Sequence, residues 1–101
     1  ATGATFYGTV GAYLARLAAV LGRHDEALRL FERADEQLCA LRAPFWQSRN
    51  QVEWARLLST RGTDTDLHRA RELLVAATTK AAAYGCAGVE RRANELTQAL
   101  P

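Results

Sequence analysis

The sequence predicts an all-α fold in which five helices form a stack of antiparallel helical hairpins. Three observations carry this. Ala, Leu and Arg dominate, while Gly (7) and Pro (2) are scarce among 101 residues, and this balance favours helix because such side chains lose little freedom there. Breaks recur along the chain at Gly22-Arg23-His24-Asp25, Arg42-Ala43-Pro44, Arg61-Gly62-Thr63-Asp64-Thr65-Asp66 and Gly85, with Gly88 close behind. Between the breaks, apolar residues step by three and four, the period of one helical face. No strand signal competes.

The first helix is predicted over 4–21, with Val10, Leu14, Leu17 and Leu21 on one apolar stripe. The second, over 25–41, sets Ala27, Phe31, Ala34, Leu38 and Leu41 against Glu26, Arg29, Glu32, Arg33 and Glu36 on its other side. The third, over 44–60, opens on Pro44, which suits a first turn, and carries Gln51, Trp54, Ala55 and Leu58 on its inner stripe. The fourth, over 66–84, aligns Leu67, Ala70, Leu74, Ala77, Ala81 and Tyr84, and the fifth, over 86–100, aligns Val89, Ala93, Leu96 and Leu100. Glycine after a periodic run stops a helix cheaply, and Asp or Thr before the next run starts one. Connections this short fold consecutive helices antiparallel. The chain therefore reads as one domain over 1–101: a hairpin over 4–41, a second over 44–84 and an extra helix over 86–100.

Composition narrows the function. With 49% hydrophobic and 24% charged residues the chain falls among ordinary soluble globular proteins. A net charge of +2 is far from the concentrated basic stripe that neutralises a row of phosphates, so direct nucleic-acid binding is not expected. Arg16 interrupts the first apolar stretch, which leaves no run near the roughly 20 residues that span a membrane. No secretion signal opens the chain, and a cytoplasmic location is expected. Cys39 and Cys86 lack metal-ligand or redox spacing and read as plain thiols filling small sites, so no metal or cofactor is implied. The sequence holds no methionine, even at position 1, and reads as a segment of a longer protein.

An internal repeat is visible. The first unit reads Gly11-x-x-Leu14-Ala15-x-x-Ala18, Gly22, Ala27-x-x-x-Phe31 with Ala34, then Pro44; the second reads Gln51-x-x-Trp54-Ala55-x-x-Leu58, Gly62, Ala70-x-x-x-Leu74 with Ala77. This resembles the TPR signature, a patterned first helix followed by A-x-x-x-F on a second and a proline, although the anchors Ala27 and Ala70 are 43 residues apart and the second turn carries three extra residues. The resemblance implies a right-handed, TPR-like stack. Small residues let the helices approach, and larger ones fill the gaps beside them.

A wider resemblance rests on Leu21-Gly22-Arg23-His24-Asp25-Glu26-Ala27, on Ala43-Pro44-Phe45-Trp46 followed by Trp54-Ala55-Arg56-Leu57-Leu58, and on Arg69-Ala70-Arg71-Glu72-Leu73-Leu74. These runs resemble the TPR-like segments of large actinobacterial regulators that join an ATPase module to a helical array. Some of those regulators carry a class III nucleotidyl cyclase domain and others a LuxR-type DNA-binding domain. The resemblance implies a cytoplasmic signalling or transcription-regulating parent and transfers no catalytic residue to this chain. The chain holds no Gly-x-x-x-x-Gly-Lys-Ser/Thr phosphate loop.

His24 and His68 fall at helix starts without the partner groups that nucleophilic catalysis needs. Asp25-Glu26 and Asp64-Thr65-Asp66 are explained as partners for the positive ends of helices. Phe31, Trp54 and Tyr84 lie on apolar stripes and are expected in the core, whereas Trp46, beside Phe45 in a first turn, is a candidate for a partner surface. Arginine is the informative polar set. In a TPR-type superhelix the first helix of each hairpin lines the concave face, which places Thr9, Ala12 and Arg16 of the first helix, with Arg49, Val52 and Arg56 of the third, in one groove. Guanidinium groups gathered there can grip carboxylates in forked, charge-assisted pairs. The competing reading is a solvated face, with Arg49 beside Glu53 four residues on.

The chain is thus expected to be a non-catalytic protein-interaction or scaffolding module whose partner is a protein, an acidic peptide or a neighbouring domain of its own chain. A structural spacer or self-association element is the alternative, and an independent enzyme ranks last. With two and a half hairpins where roughly three repeats are needed, the module is expected either to be only marginally stable or to form a homo-oligomer through Phe6, Tyr7 and Val10 of the first helix or through the fifth helix around Val89 and Leu96.

Overall fold

The computed structural model describes the backbone of residues 2–101 and the side chains from Thr9 onward. Five helices are formed among these residues, and no strand: α1 (Thr2–Val20), α2 (His24–Ala40), α3 (Pro44–Arg61), α4 (Asp64–Ala83) and α5 (Ala87–Ala99). The expected elements are all present. Each of the first four ends in the same way, with a residue in the left-handed region: Gly22 (φ 79°), Arg42 (φ 52°), Gly62 (φ 74°) and Gly85 (φ 71°). After α1, α2 and α4 the amides of Arg23, Ala43 and Cys86 return to the carbonyls of Ala18, Leu38 and Ala81 at 2.9, 3.0 and 2.8 Å, a closure that satisfies carbonyls the helix leaves unpaired.

The start of α4 differs from its expected place at Asp66. Thr63 caps the helix, its hydroxyl accepting the Asp66 N–H at 3.1 Å, so Asp64 and Thr65 wind into the first turn. The extra residues of the second hairpin therefore lengthen α4 and leave only 62–63 as connection.

Packing follows the small residues. Ala15, Ala27, Ala34, Ala55, Ala70 and Ala77 are no more than 1% exposed, and Phe31, Leu74 and Trp54 are buried beside them. Helix α1 packs on α2, α2 on α3, α3 on α4 and α4 on α5, while α3 also touches both α1 and α5. Among the described residues the backbones of α2 and α4 do not approach closely. The helices therefore form two layers, α1, α3 and α5 in one and α2 and α4 in the other. A molecular thickness of 18 Å fits two helices spaced at roughly 8–10 Å.

A polar seam joins α2 to α3. Asp35 Oδ1 accepts from Gln47 Nε2 at 3.2 Å and from Gln51 Nε2 at 3.1 Å, and Asn50 Nδ2 donates to the Phe31 carbonyl at 3.0 Å. Arg61 at the end of α3 reaches Asp66 at 3.2 Å and Asp25 at the start of α2 at 3.7 Å. The acids at these helix starts thus bind across elements as well as favouring the helix termini.

Several sequence-based expectations are corrected. The stripe Leu14, Leu17 and Leu21 does not face inward: these residues are 45, 41 and 69% exposed, and α1 meets α2 through Gly11, Ala15 and Ala18. Close approach needs the small face, so the larger residues are left outside. Tyr84 is exposed because α4 ends just before it. Cys39 is exposed and Cys86 half-buried, so Cys39 fills no core site. Val89 is buried in the core and Leu96 packs against that core, which spends the α5 stripe within the chain instead of offering it for self-association. Val10 is half-buried, and the side chains of Phe6 and Tyr7 lie outside the described residues.

Candidate partner-binding groove

Helix α3 is covered by α2 and α4, with α1 and α5 touching it as well, which leaves a narrow strip facing α1. Trp46, Arg49, Glu53, Arg56 and Thr60 form that strip, stepping by three and four. Arg16 and Arg49 line one cleft between α1 and α3, Arg16 and Arg56 line the next, and Arg16 with Glu53 belongs to both. The two clefts adjoin at Arg16 and Glu53, and the three arginines named from the sequence line them. Val52 does not: at 2% exposure it lies in the core, a correction that follows from its position on the covered side of α3.

Each arginine is held differently. The Arg49 guanidinium sits 5.8 Å from the centre of the Trp46 ring, and Trp46 is braced edge-on by Phe45 at 5.0 Å. Arg16 lies 5.8 Å from the Tyr13 ring. Such cation–ring contacts orient a guanidinium without consuming its N–H donors. Arg56 pairs with Glu53 at 3.6 Å. Glu53 thus turns toward Arg56, one turn onward, and not toward Arg49 as its spacing had allowed. With three arginines and one glutamate the groove is positive, and forked donors beside it suit carboxylates.

Asn50 is the wall residue that the sequence reading missed. It is 2% exposed, its Nδ2 is spent on Phe31, and its Oδ1 has no hydrogen-bond partner among the described residues. A buried acceptor left without a donor costs stability. The available signal was its placement between Trp46 and Trp54, one turn from each, on a helix with more than one covered side.

The histidines are apart from each other. His24 borders the Arg56 end of the groove, and His68 lies exposed on α4, 4.0 Å from Glu72. Among the described residues no group of three His, Cys, Asp or Glu side chains is placed to hold a metal ion. No helix there is long and apolar enough to cross a membrane. No family model matches the chain, and neither a curated protein nor a solved structure is similar to it at a significant level.

Proposed function

We propose that this chain is a non-catalytic protein-interaction module, a TPR-like right-handed stack that holds an acidic peptide segment in the groove between α1 and α3. The observation that carries the reading is that Arg16, Arg49 and Arg56 line two adjoining clefts between α1 and α3. The two-layer arrangement, with first helices adjacent to one another, supports the TPR-like assignment. On the resemblance of the Leu21–Ala27, Ala43–Trp46 and Arg69–Leu74 runs, the module belongs to a cytoplasmic multidomain signalling or transcription regulator, where any ATPase, cyclase or DNA-binding activity resides in other domains.

The test is a titration of a fluorescein-labelled Asp/Glu-rich peptide, followed by anisotropy, against the wild-type chain and the Arg49→Glu/Arg56→Glu double variant. The reading expects saturable binding that weakens with salt and is lost in the variant while the melting temperature holds. Equal binding by the two proteins, or none to the wild type, contradicts it.

A further inference from the structure

The two hairpins are equivalent, and comparing them exposes a seat that is filled in one and open in the other. Ala15 and Ala55, forty residues apart, are both fully buried at matching points of α1 and α3, and Gly22 and Gly62 end those helices in the same left-handed conformation. In that register Leu14 matches Trp54 and Leu17 matches Leu57, while on the second helices Leu30 matches Leu73, as Ala27 matches Ala70. Trp54, Leu57 and Leu73 are 6, 5 and 3% exposed. Leu14 and Leu17 are 45 and 41% exposed. Together with Leu21 and the half-buried Leu30, they line an open groove floored by the core residue Ala18.

The difference has an identifiable cause. On the second hairpin the seat is occupied by α2, which packs along α3, accepts the Asn50 side-chain N–H at the Phe31 carbonyl and sends Asp25 to Arg61. Among the described residues no helix takes the corresponding place beside α1. The open seat is also the more apolar of the two, because Leu21 stands where the second hairpin has Arg61. Its rim carries Arg23 and Glu26, which pair with each other at 3.7 Å.

We propose that the outer face of the first hairpin is a docking site for an amphipathic helix of α2's chemistry supplied by a partner, with aliphatic and aromatic side chains on one stripe. A second copy of this chain has no such helix to give. Its α2 is already seated on its own α3, and α4, the matching helix of the other hairpin, is covered by α5. The inference stands on the equivalence of the hairpins and does not depend on the concave groove.

The probe is a labelled, helix-stapled peptide with the sequence of residues 24–40, titrated against the intact chain. Binding is expected, with at least a tenfold loss on Leu17→Glu, since burying a leucine contributes enough for about that factor. It is expected to be unchanged by Val75→Glu on α4, at a residue 67% exposed and outside the groove lining. A peptide carrying Phe31→Glu is expected not to bind. Should Leu17→Glu disturb folding in a melt, Leu21→Glu, at the still more exposed position, carries the same test. The proposal is overturned if the folded wild-type chain ignores the peptide, or if binding survives both glutamate variants. Sedimentation showing a dimer that Leu17→Glu abolishes, with no peptide binding, also overturns it and assigns the face to a second copy.

Discussion

The side-chain amide of Asn50, on α3, donates to the main-chain carbonyl of Phe31, on α2, at 3.0 Å. Both residues are almost fully buried, so this bond fixes how the second hairpin sits on the first. Replacing Asn50 with Leu removes the donor and also forces a branched apolar group against a backbone oxygen. A loss of about 1–3 kcal/mol is expected, the scale of a buried hydrogen bond broken on one side. Urea unfolding of Asn50→Leu measures it.

Ala27 and Ala70 are fully buried at matching points of α2 and α4. Enlarging either to Leu forces the helices apart and is expected to destabilise the chain by about 1–3 kcal/mol through overpacking. Val75→Ala, at an exposed site, is expected to stay within about 0.5 kcal/mol. Thermal or urea melts of the three variants check the contrast, and an unaffected Ala27→Leu would remove the basis for the repeat alignment.

These two cases also show what the sequence could reveal. The helices were legible because Gly22, Gly62 and Gly85 close them and because alanine recurs where helices touch. The packing role of Phe31, Trp54 and Leu74 followed from the same spacing. Periodicity could not say which of two faces of α1 turns inward. Leu14, Leu17 and Leu21 carry the stronger apolar signal, yet Gly11, Ala15 and Ala18 allow the closer approach, and the approach decided the packing. The three groove arginines were legible from their register on first helices. Val52 was misplaced because α3, unlike a helix with a single apolar stripe, is covered from more than one side. Asn50 was invisible for the related reason that a polar residue reads as exposed until its partner is known.

Arg42 occupies the left-handed position that glycine holds at the other three helix ends. A side chain there costs about 1–2 kcal/mol in backbone conformation, partly offset by the greater freedom glycine has when unfolded. Arg42→Gly is therefore expected to stabilise the chain, by up to about 1 kcal/mol. A fall in urea midpoint would show that the Arg42 side chain makes a stabilising contact that outweighs the strain.

Glu53 is the acid already inside the groove, and it pairs with Arg56 at 3.6 Å. An acidic ligand competes with it. Glu53→Gln is expected to strengthen binding of the Asp/Glu-rich peptide several-fold, at low salt most of all, because screening weakens charge contacts at exposed sites. Anisotropy titrations at two salt concentrations measure the change, and weaker binding by Glu53→Gln would mean that the glutamate itself contacts the peptide.

The claim that Arg16, Arg49 and Arg56 together receive an acidic segment is tested most directly by watching their side chains. In a chain labelled with nitrogen-15, the Nε–Hε resonances of the arginines are assigned by substitution and followed during titration with the Asp/Glu-rich peptide. The account predicts saturable shifts at Arg16, Arg49 and Arg56 with one common dissociation constant, while Arg91 and Arg92, exposed on α5, stay in place. Shifts centred on Arg91 and Arg92, or small and unsaturable shifts at every arginine alike, would contradict it.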